Sequence, residues 1–260
     1  MNVLDNIGYC TLVESWGSDS SIIEAARMST AKGFQGWEKP CPGCEGRGFG
    51  APVDIHTGEP TICSMCEGDG YVEGDYRLLR YLWKNKHHTP FEMGGLVVEV
   101  QAPIFVAREW FRHRTQSYSE LSSRYTELPD LYYIPSIDRL LNAKQSTKNK
   151  QGSSAGFTTD EAAQIQEQLR RATAVSRATY ELLLDKGVAR EVARMILPVN
   201  QYTRFRASAN LRNWLHFLEL RLAQGAQHEI REYAKVLGAI VKELFPRTWG
   251  LFEEELNDAL

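Results

Sequence analysis

The chain has 260 residues, of which 43% are hydrophobic and 24% charged, and a formal net charge of −3. These are the proportions of a soluble globular protein of one large or two small domains. They exclude a whole-chain attraction to nucleic acid or a membrane surface, so any anion site has to be built locally. Residues 1–8 lack a charged head and a long apolar run, so no signal peptide is expected, and no apolar run reaches transmembrane length. Four of the five cysteines form two Cys-x-x-Cys pairs. That usage suits a metal in a reducing compartment better than disulfides, and predicts a cytoplasmic protein.

In chain order, residues 3–14 alternate weakly around Val3, Leu4, Ile7, Tyr9, Leu12 and Val13 and predict a strand, with Cys10 as a small buried hydrophobe. Ser21 and Glu24 have capping-box spacing and predict a short helix through Ile22, Ile23, Ala26 and Met28. Cys41-Pro-Gly-Cys44-Glu-Gly-Arg-Gly48 and Cys63-Ser-Met-Cys66-Glu-Gly-Asp-Gly70 then repeat one pattern, with eighteen residues between Cys44 and Cys63. Four thiolates in this pattern suit a tetrahedral zinc ion. A redox dithiol or a disulfide pair accounts less well for the matched glycines, which let the backbone fold tightly and aim amide N–H groups at sulfur. Residues 38–74 hold few large apolar side chains and much Gly and Pro. They predict an inserted module that folds on its metal, structural or partner-binding in role, with no open coordination position for catalysis.

Residues 75–86 predict a helix with Leu78, Leu79 and Leu82 on one face and Trp83 beside them. After Lys86, His87 and His88, Thr89 is expected as an N-cap, Pro90 as the first helical residue and Glu92 as the partner in a capping box. By themselves the two histidines read as loop residues. A strand is expected over 96–101, then a helix opening at Pro103 and running over 104–111. Residues 132–141 form a connector, and the small polar residues of 142–158 predict a mobile loop. Thr158 and Glu161 cap a long helix with an inward stripe of Ile165, Leu169, Ala172, Ser176, Thr179 and Leu183, ended by Gly187. A second helix over 189–197 stops at Pro198, and 201–208 alternate as a strand. Helices follow over 211–223 and 226–244, with a last short one from Pro246. The fold class is α+β, several helices around a modest sheet.

The stretch from Trp110 to Tyr125 gathers Arg112, His113, Arg114, Glu120, Arg124 and four serines directly after the apolar run 102–107. It reads as the rim of an anion pocket, because guanidinium forks hold phosphate and carboxylate bidentately. A solvated basic helix end is the alternative. Arginines recur at Arg194, Arg204, Arg206, Arg212 and Arg221, near apolar helices. An arginine in such a helix needs a partner, and Glu219 or Glu229 is expected to supply it.

Arg112-His113-Arg114, Ser117, Glu120, Ser122 and Arg124 resemble the signature of the flavin-dependent thymidylate synthases, the ThyX class. That signature reads Arg-His-Arg, two residues, Ser, one residue, Asn, Glu, one residue, Ser, one residue, Arg. The likeness extends to residues 24–27, 87–92, 190–204, 210–221 and 226–231, nearly the whole chain outside the insertion and the 142–158 loop. It implies a synthase domain formed by residues 1–37 and 75–260. The cysteine repeat is similar to the zinc modules of the DnaJ co-chaperones, with two repeats instead of four. That likeness implies one structural zinc on Cys41, Cys44, Cys63 and Cys66.

The resemblance implies reductive methylation of dUMP at C5 to dTMP, with carbon from methylenetetrahydrofolate and hydride from FAD reduced by NADPH. It implies no cysteine nucleophile, and Cys10 is far in sequence from the arginine stretch. By position, dUMP would be held by Glu109, Trp110, Phe111, Arg112, Glu120, Leu121, Ser122, Ser123, Arg124, Arg194 and Arg221, with Arg221 as the catalytic group beside the uracil. FAD would be held by His87, Thr89, Arg112, His113, Arg114, Ser117, Glu120, Asn210, Arg212 and His216. A homotetramer with shared active sites is implied as well, and no membrane or nucleic-acid partner is expected. Two departures stand out: Ser119 replaces the signature's Asn, and Glu109 stands where relatives usually have Gln. They leave two alternatives, a related flavin-dependent enzyme that modifies dUMP at C5, for example by hydroxymethylation, and a zinc-containing binding adaptor on a decayed scaffold.

Overall fold

Glycine, proline and short polar residues break the chain into elements more often than the sequence pattern alone indicates. The structure, a computed structural model, describes residues 2–53, 60–147 and 150–258. The expected first strand is a hairpin of β1 (Asn2–Val3) and β2 (Gly8–Trp16), antiparallel with Val3 opposite Gly8. Leu4, Asp5 and Asn6 turn the chain at positive φ, a conformation that Asp and Asn tolerate better than most residues. The next helix, α1 (Asp19–Arg27), is capped by Ser18 and not by Ser21. Ser18 Oγ accepts from the Ser21 amide at 3.4 Å and Ser21 Oγ accepts from the Ser18 amide at 3.2 Å, which closes the box three residues earlier than expected.

In the cysteine segment β3 (Glu38–Pro40) pairs with β6 (Tyr71–Glu73), and β4 (Phe49–Val53) pairs with β5 (Pro60–Ile62), both antiparallel. Helix α2 (Asp75–Lys84) follows. Thr89–Glu92 is one 3-10 turn without a side-chain cap; Pro90 fits its start, but Gly95 already begins the next strand. That strand is β7 (Gly95–Pro103), followed by α3 (Ile104–Trp110). The arginine stretch contains an unexpected strand, β8 (Ser117–Glu120). The connector holds α4 (Ile137–Leu141), and the expected loop 142–158 carries a small hairpin of β9 (Lys144–Gln145) and β10 (Ser153–Ser154). The long helix is α5 (Thr159–Asp185), with the expected Thr158–Glu161 capping box, and Gly187 at φ +75° closes its end. The expected second helix is only α6 (Arg190–Ala193) with a 3-10 turn, Arg194–Ile196. Then come β11 (Tyr202–Asn210), α7 (Leu211–Leu222), α8 (His228–Leu244) and α9 (Pro246–Asp258).

The chain divides into two units. The first comprises Met1–Ser15, Leu96–Ala209 and Asn213–Ile240, and is built on a five-stranded sheet in the order β1-β2-β7-β11-β8. Strand β7 shows why it is central: Leu96, Val98, Val100 and Ala102 alternate inward with no exposed surface. The same inward face of β11 carries Phe205 and Ala207, while Arg204 and Arg206 point outward. Against the sheet lies an aromatic core. Trp110 has no exposed surface, and its ring stands 4.5 Å from Phe217 and 5.5 Å from Phe205. Such pairs add about 0.5–1.5 kcal/mol each beyond the area they bury. They fix the last residue of α3, and so the start of the arginine stretch.

Helix α5 buries its expected stripe only in part: Ile165, Ser176, Thr179 and Leu183 are half-buried, whereas Leu169 and Ala172 are exposed. Ala162, Thr173 and Tyr180 face the core, and outside the stripe Val175 is 67% and Leu182 52% exposed. The helix is apolar along more than one line, and periodicity does not say which line finds a partner.

The second unit comprises Trp16–Gly95, Asn210–Arg212 and Val241–Leu260, and includes the cysteine segment. Ile22, Ile23, Leu79, Leu82, Phe91, Phe245 and Phe252 are buried in it. Buried Asp19 caps α9: its carboxylate accepts from the Arg247 amide at 2.8 Å, the Thr248 amide at 3.1 Å and Thr248 Oγ1 at 2.6 Å. Among the described residues no helix is long and apolar enough to cross a membrane.

Candidate active site and cysteine cluster

Helix α3 ends where polar residues take over from apolar ones, and the turn that follows is tied down by its own side chains. Trp110 Nε1 donates to Gln116 Oε1 at 3.1 Å, and the Tyr118 hydroxyl donates to the carbonyls of His113 (2.8 Å) and Trp110 (3.1 Å). This leaves Arg112 and Arg114 exposed and His113 buried. The His113 ring lies 4.7 Å from that of Phe217, and its Nε2 accepts from Arg221 Nε at 2.9 Å. The Nη1 of Arg221 forms an ion pair with Glu109. Neither Glu219 nor Glu229 pairs with Arg221: Glu219 meets His216 at 3.4 Å, and Glu229 accepts from Arg139 Nε at 2.7 Å.

Burial, with the charges of Arg221 and His216, pushes the His113 imidazole down to about 4. It is therefore neutral near pH 7, and Nε2 keeps the lone pair that accepts from Arg221. Burial pushes the Glu109 carboxyl above the usual carboxylate range, and Arg221 offsets only part of that. A pH effect on stability follows. Unfolded His113 takes up a proton near pH 6.5, whereas the folded residue resists until about pH 4. In that window the unfolded chain binds more protons, so the contribution of neutral His113 is complete above pH 6.5 and is lost as the pH falls. Wild type is expected to lose more stability than His113→Gln between pH 7 and pH 5, read as the shift in urea midpoint.

A second group of expected residues meets in the same unit. Ser123 is buried and accepts from Arg194 Nη1 at 3.2 Å. Arg124 pairs with Glu191 at 3.3 Å, and Ser122 Oγ accepts from the Arg124 amide at 3.4 Å. Glu120 accepts from Thr203 Oγ1 at 2.7 Å. Ser119 lies opposite Arg206 in the β8–β11 ladder, and Arg206 donates to Glu99 at 3.2 Å. Phe111 packs 4.7 Å from Tyr118, Leu121 is half-buried, and Ser117 is exposed. Among the described residues no carboxylate pairs with Arg112 or Arg114. His87, Thr89, Asn210 and Arg212 belong to the second unit, where Arg212 Nη1 donates to Glu92 at 3.0 Å and both His87 and Thr89 are exposed. The roles of Gln116, Tyr118 and Thr203 had no sequence signal: each depends on a turn or a strand pairing that the polar run conceals.

The cysteine segment encloses a site of another kind. The Sγ atoms of Cys41, Cys44, Cys63 and Cys66 lie within 4.8 Å of one another, and all four residues are buried. Cys41 and Cys63 are 3.9 Å apart and Cys44 and Cys66 3.6 Å. Zinc–sulfur bonds of about 2.3 Å in a tetrahedron require sulfur separations of about 3.8 Å. The two knuckles hold each other by exchanged bonds: the Cys41 amide donates to Gly70 O at 2.8 Å and the Cys63 amide to Gly48 O at 3.0 Å. The amides of Gly48 and Gly70 donate to Cys44 Sγ and Cys66 Sγ, each at 3.3 Å. Both glycines sit at positive φ, +78° and +77°, and a Cβ on either would strike the opposite knuckle's carbonyl at 2.3 Å and 2.5 Å. The donor set and its spacing fit a thiophilic divalent ion.

Residues 11–247 match the family described as thymidylate synthase complementing protein. The chain is 41% identical over 254 residues to a flavin-dependent thymidylate synthase of Thermus thermophilus, covering 98% of this chain and 78% of that protein. A flavin-dependent thymidylate synthase of Wolbachia pipientis is 36% identical over 252 residues, covering 97% and 75%. Among solved structures, the UMP/dUMP methylase PolB of Streptomyces cacaoi, bound with 5-Br dUMP, superposes with a TM-score of 0.74 at 30% identity, covering 98% of this chain and 97% of that one.

Proposed function

The chain belongs to the family of flavin-dependent thymidylate synthases, and from that membership we propose that it methylates dUMP at C5 to give dTMP, taking carbon from methylenetetrahydrofolate and reducing power from NADPH through FAD. The observation that carries this reading to the level of residues is the cluster of Arg221, His113 and Glu109, in which a half-buried guanidinium is held by two acceptors. Arg221 has five N–H donors and gives two of them to protein. The rest are available to a uracil oxygen, where they stabilise the negative charge that builds as C5 becomes nucleophilic. Arg194 and Ser123, already hydrogen-bonded, would hold the nucleotide phosphate with Arg124.

FAD fits the residues present. The guanidinium groups of Arg112 and Arg114 are exposed and unpaired with carboxylate among the described residues, which leaves two forks for a diphosphate. When bound, the flavin supplies the hydride. Within the first unit, Ser117, Glu120, His113 and His216 would line it. Neutral His113 offers no positive charge to compete with the arginines. Zinc fits the four-sulfur site, as a structural ion in the module of residues 38–74. A homotetramer is supported by the exposed apolar side chains of α5 and the turn after α6, among them Val175 at 67% and Met195 at 80%. A cytoplasmic setting suits unoxidised cysteines and soluble substrates.

The test is tritium release from dUMP labelled at C5, with methylenetetrahydrofolate, NADPH and FAD present, followed by identification of the product. Methyl transfer replaces the C5 hydrogen, so release with dTMP as product is expected. Release with another C5-substituted nucleotide moves the reading to a related modifying enzyme. No release and no flavin binding overturns it in favour of an adaptor.

A further inference from the structure

Arg221 leaves α7 with two of its donors already engaged. Nε donates to His113 Nε2 at 2.9 Å, and Nη1 reaches Glu109 Oε1. The two acceptors flank Trp110, which has no exposed surface and stands in the aromatic core, so the core sets their spacing. His113 is also fixed from α7 itself, through Phe217 one helical turn before Arg221. Arg221 and Glu109 are both shielded, with side chains 18% and 24% exposed.

We propose that Glu109 is a positioning residue: it acts on the reaction through Arg221, closing with His113 a two-point clamp that sets the plane of the guanidinium and leaves its remaining N–H groups to face the pyrimidine. A long side chain with four rotatable bonds loses much of its freedom when held at two points, and a preorganised donor costs no rearrangement as charge develops. The acceptors are unlike in charge. His113 takes a hydrogen bond without cancelling the charge of Arg221, and Glu109 compensates the charge in a shielded place. The further charged groups acting on the clamp are His216 on α7, which bears on His113, and Glu229 on α8, which bears on Glu109. In the competing reading Glu109 touches the nucleotide directly, and its loss weakens binding whatever Arg221 does. The kinetic consequence rests on the proposed function; the clamp itself does not.

The test uses Glu109→Ala, which removes the acceptor, and Glu109→Gln, which keeps an acceptor oxygen of the same shape. Ligand-free protein carrying 15N-histidine reads the clamp. His113 Nε2 is expected to give the signal of a bare acceptor nitrogen near neutral pH, displaced in Glu109→Ala and nearly restored in Glu109→Gln. Tritium release reads the consequence. Glu109→Ala is expected to lower kcat about 10- to 100-fold, the cost of misplacing a reacting contact by about 1 Å. KM for dUMP should rise less than kcat falls, and Glu109→Gln should recover most of kcat. An unmoved His113 signal in folded Glu109→Ala overturns the clamp. An intact kcat with a raised KM overturns the positioning role in favour of direct nucleotide contact. If wild type releases no tritium, the proposed function fails, and the His113 signal still decides the clamp.

Discussion

Arg221→Ala is expected to lower kcat/KM for dUMP about 10²- to 10³-fold, the range found when one donor to a developing negative charge is removed. The reason lies in how Arg221 is held. It is anchored through Nε and Nη1 by His113 and Glu109, so its free N–H groups are aimed before substrate arrives. Loss of such a donor falls on the step in which charge builds, so kcat is expected to drop more than KM rises. Arg221→Lys is expected to recover little. An ammonium is a point charge without the planar fork, and it cannot satisfy both acceptors and still face the ring. Because Arg221→Ala strands the half-buried Glu109 carboxylate, some stability is lost as well, and activity has to be compared well below the melting temperature of the variant. Arg221→Ala with kcat and KM both near wild type removes Arg221 from the site.

What the sequence made legible is mostly local. The Thr158–Glu161 box and Gly187 bound α5, Pro246 opens α9, and the alternation of 201–208 announces β11, because each signal acts within one turn or one strand. The cysteine spacing is legible for a different reason: chemistry, not packing, sets it. Features that depend on remote pairing are hidden. Strand β8 lies inside a run whose charges suggest only solvent, and it exists because Ser117–Glu120 pair with β11. The acceptors of Arg221 come from α3 and the turn after it, 112 and 108 positions away, whereas the carboxylates nearest in sequence are Glu219 and Glu229. Glu229 could not serve, because Arg139 and Tyr133 already hold it. The buried side of α5 was hidden too, since the helix also carries apolar side chains on faces that the core does not use, Leu169 on one and Val175 and Leu182 on another.

Cys63→Ser is expected to abolish metal binding and unfold the part of the cysteine segment beyond the β3–β6 ladder, residues 41–70. Among the described residues little else supports the segment. Among the described residues, the buried members of its hydrophobic cluster are the four cysteines themselves, with Val72 packed against them. Structural zinc contributes about 10–16 kcal/mol in comparable small modules near pH 7, and a site with three thiolates retains only part of that. The base of the segment is held separately, by the β3–β6 ladder, by the Gly74 amide donating to Trp37 O at 2.8 Å and by Arg247 lying 4.3 Å over the Trp37 ring. The break is therefore expected to stop there. Wild type should carry one zinc per chain by elemental mass spectrometry, Cys63→Ser none, and protease should cut the variant within residues 41–70 first. The two-fold likeness of the knuckles sharpens the test. Gly48→Ala and Gly70→Ala both push a methyl into the opposite carbonyl and should lower metal affinity alike, whereas a Cβ at Gly43 meets nothing nearer than 3.4 Å and Gly43→Ala should keep its metal. A disulfide arrangement predicts the opposite pattern: one unoxidised thiol in wild type, that of Cys10, loss of structure with reductant, and indifference to chelators. Metal retained at full stoichiometry in Cys63→Ser, with the segment still protected, would rule out the four-thiolate site.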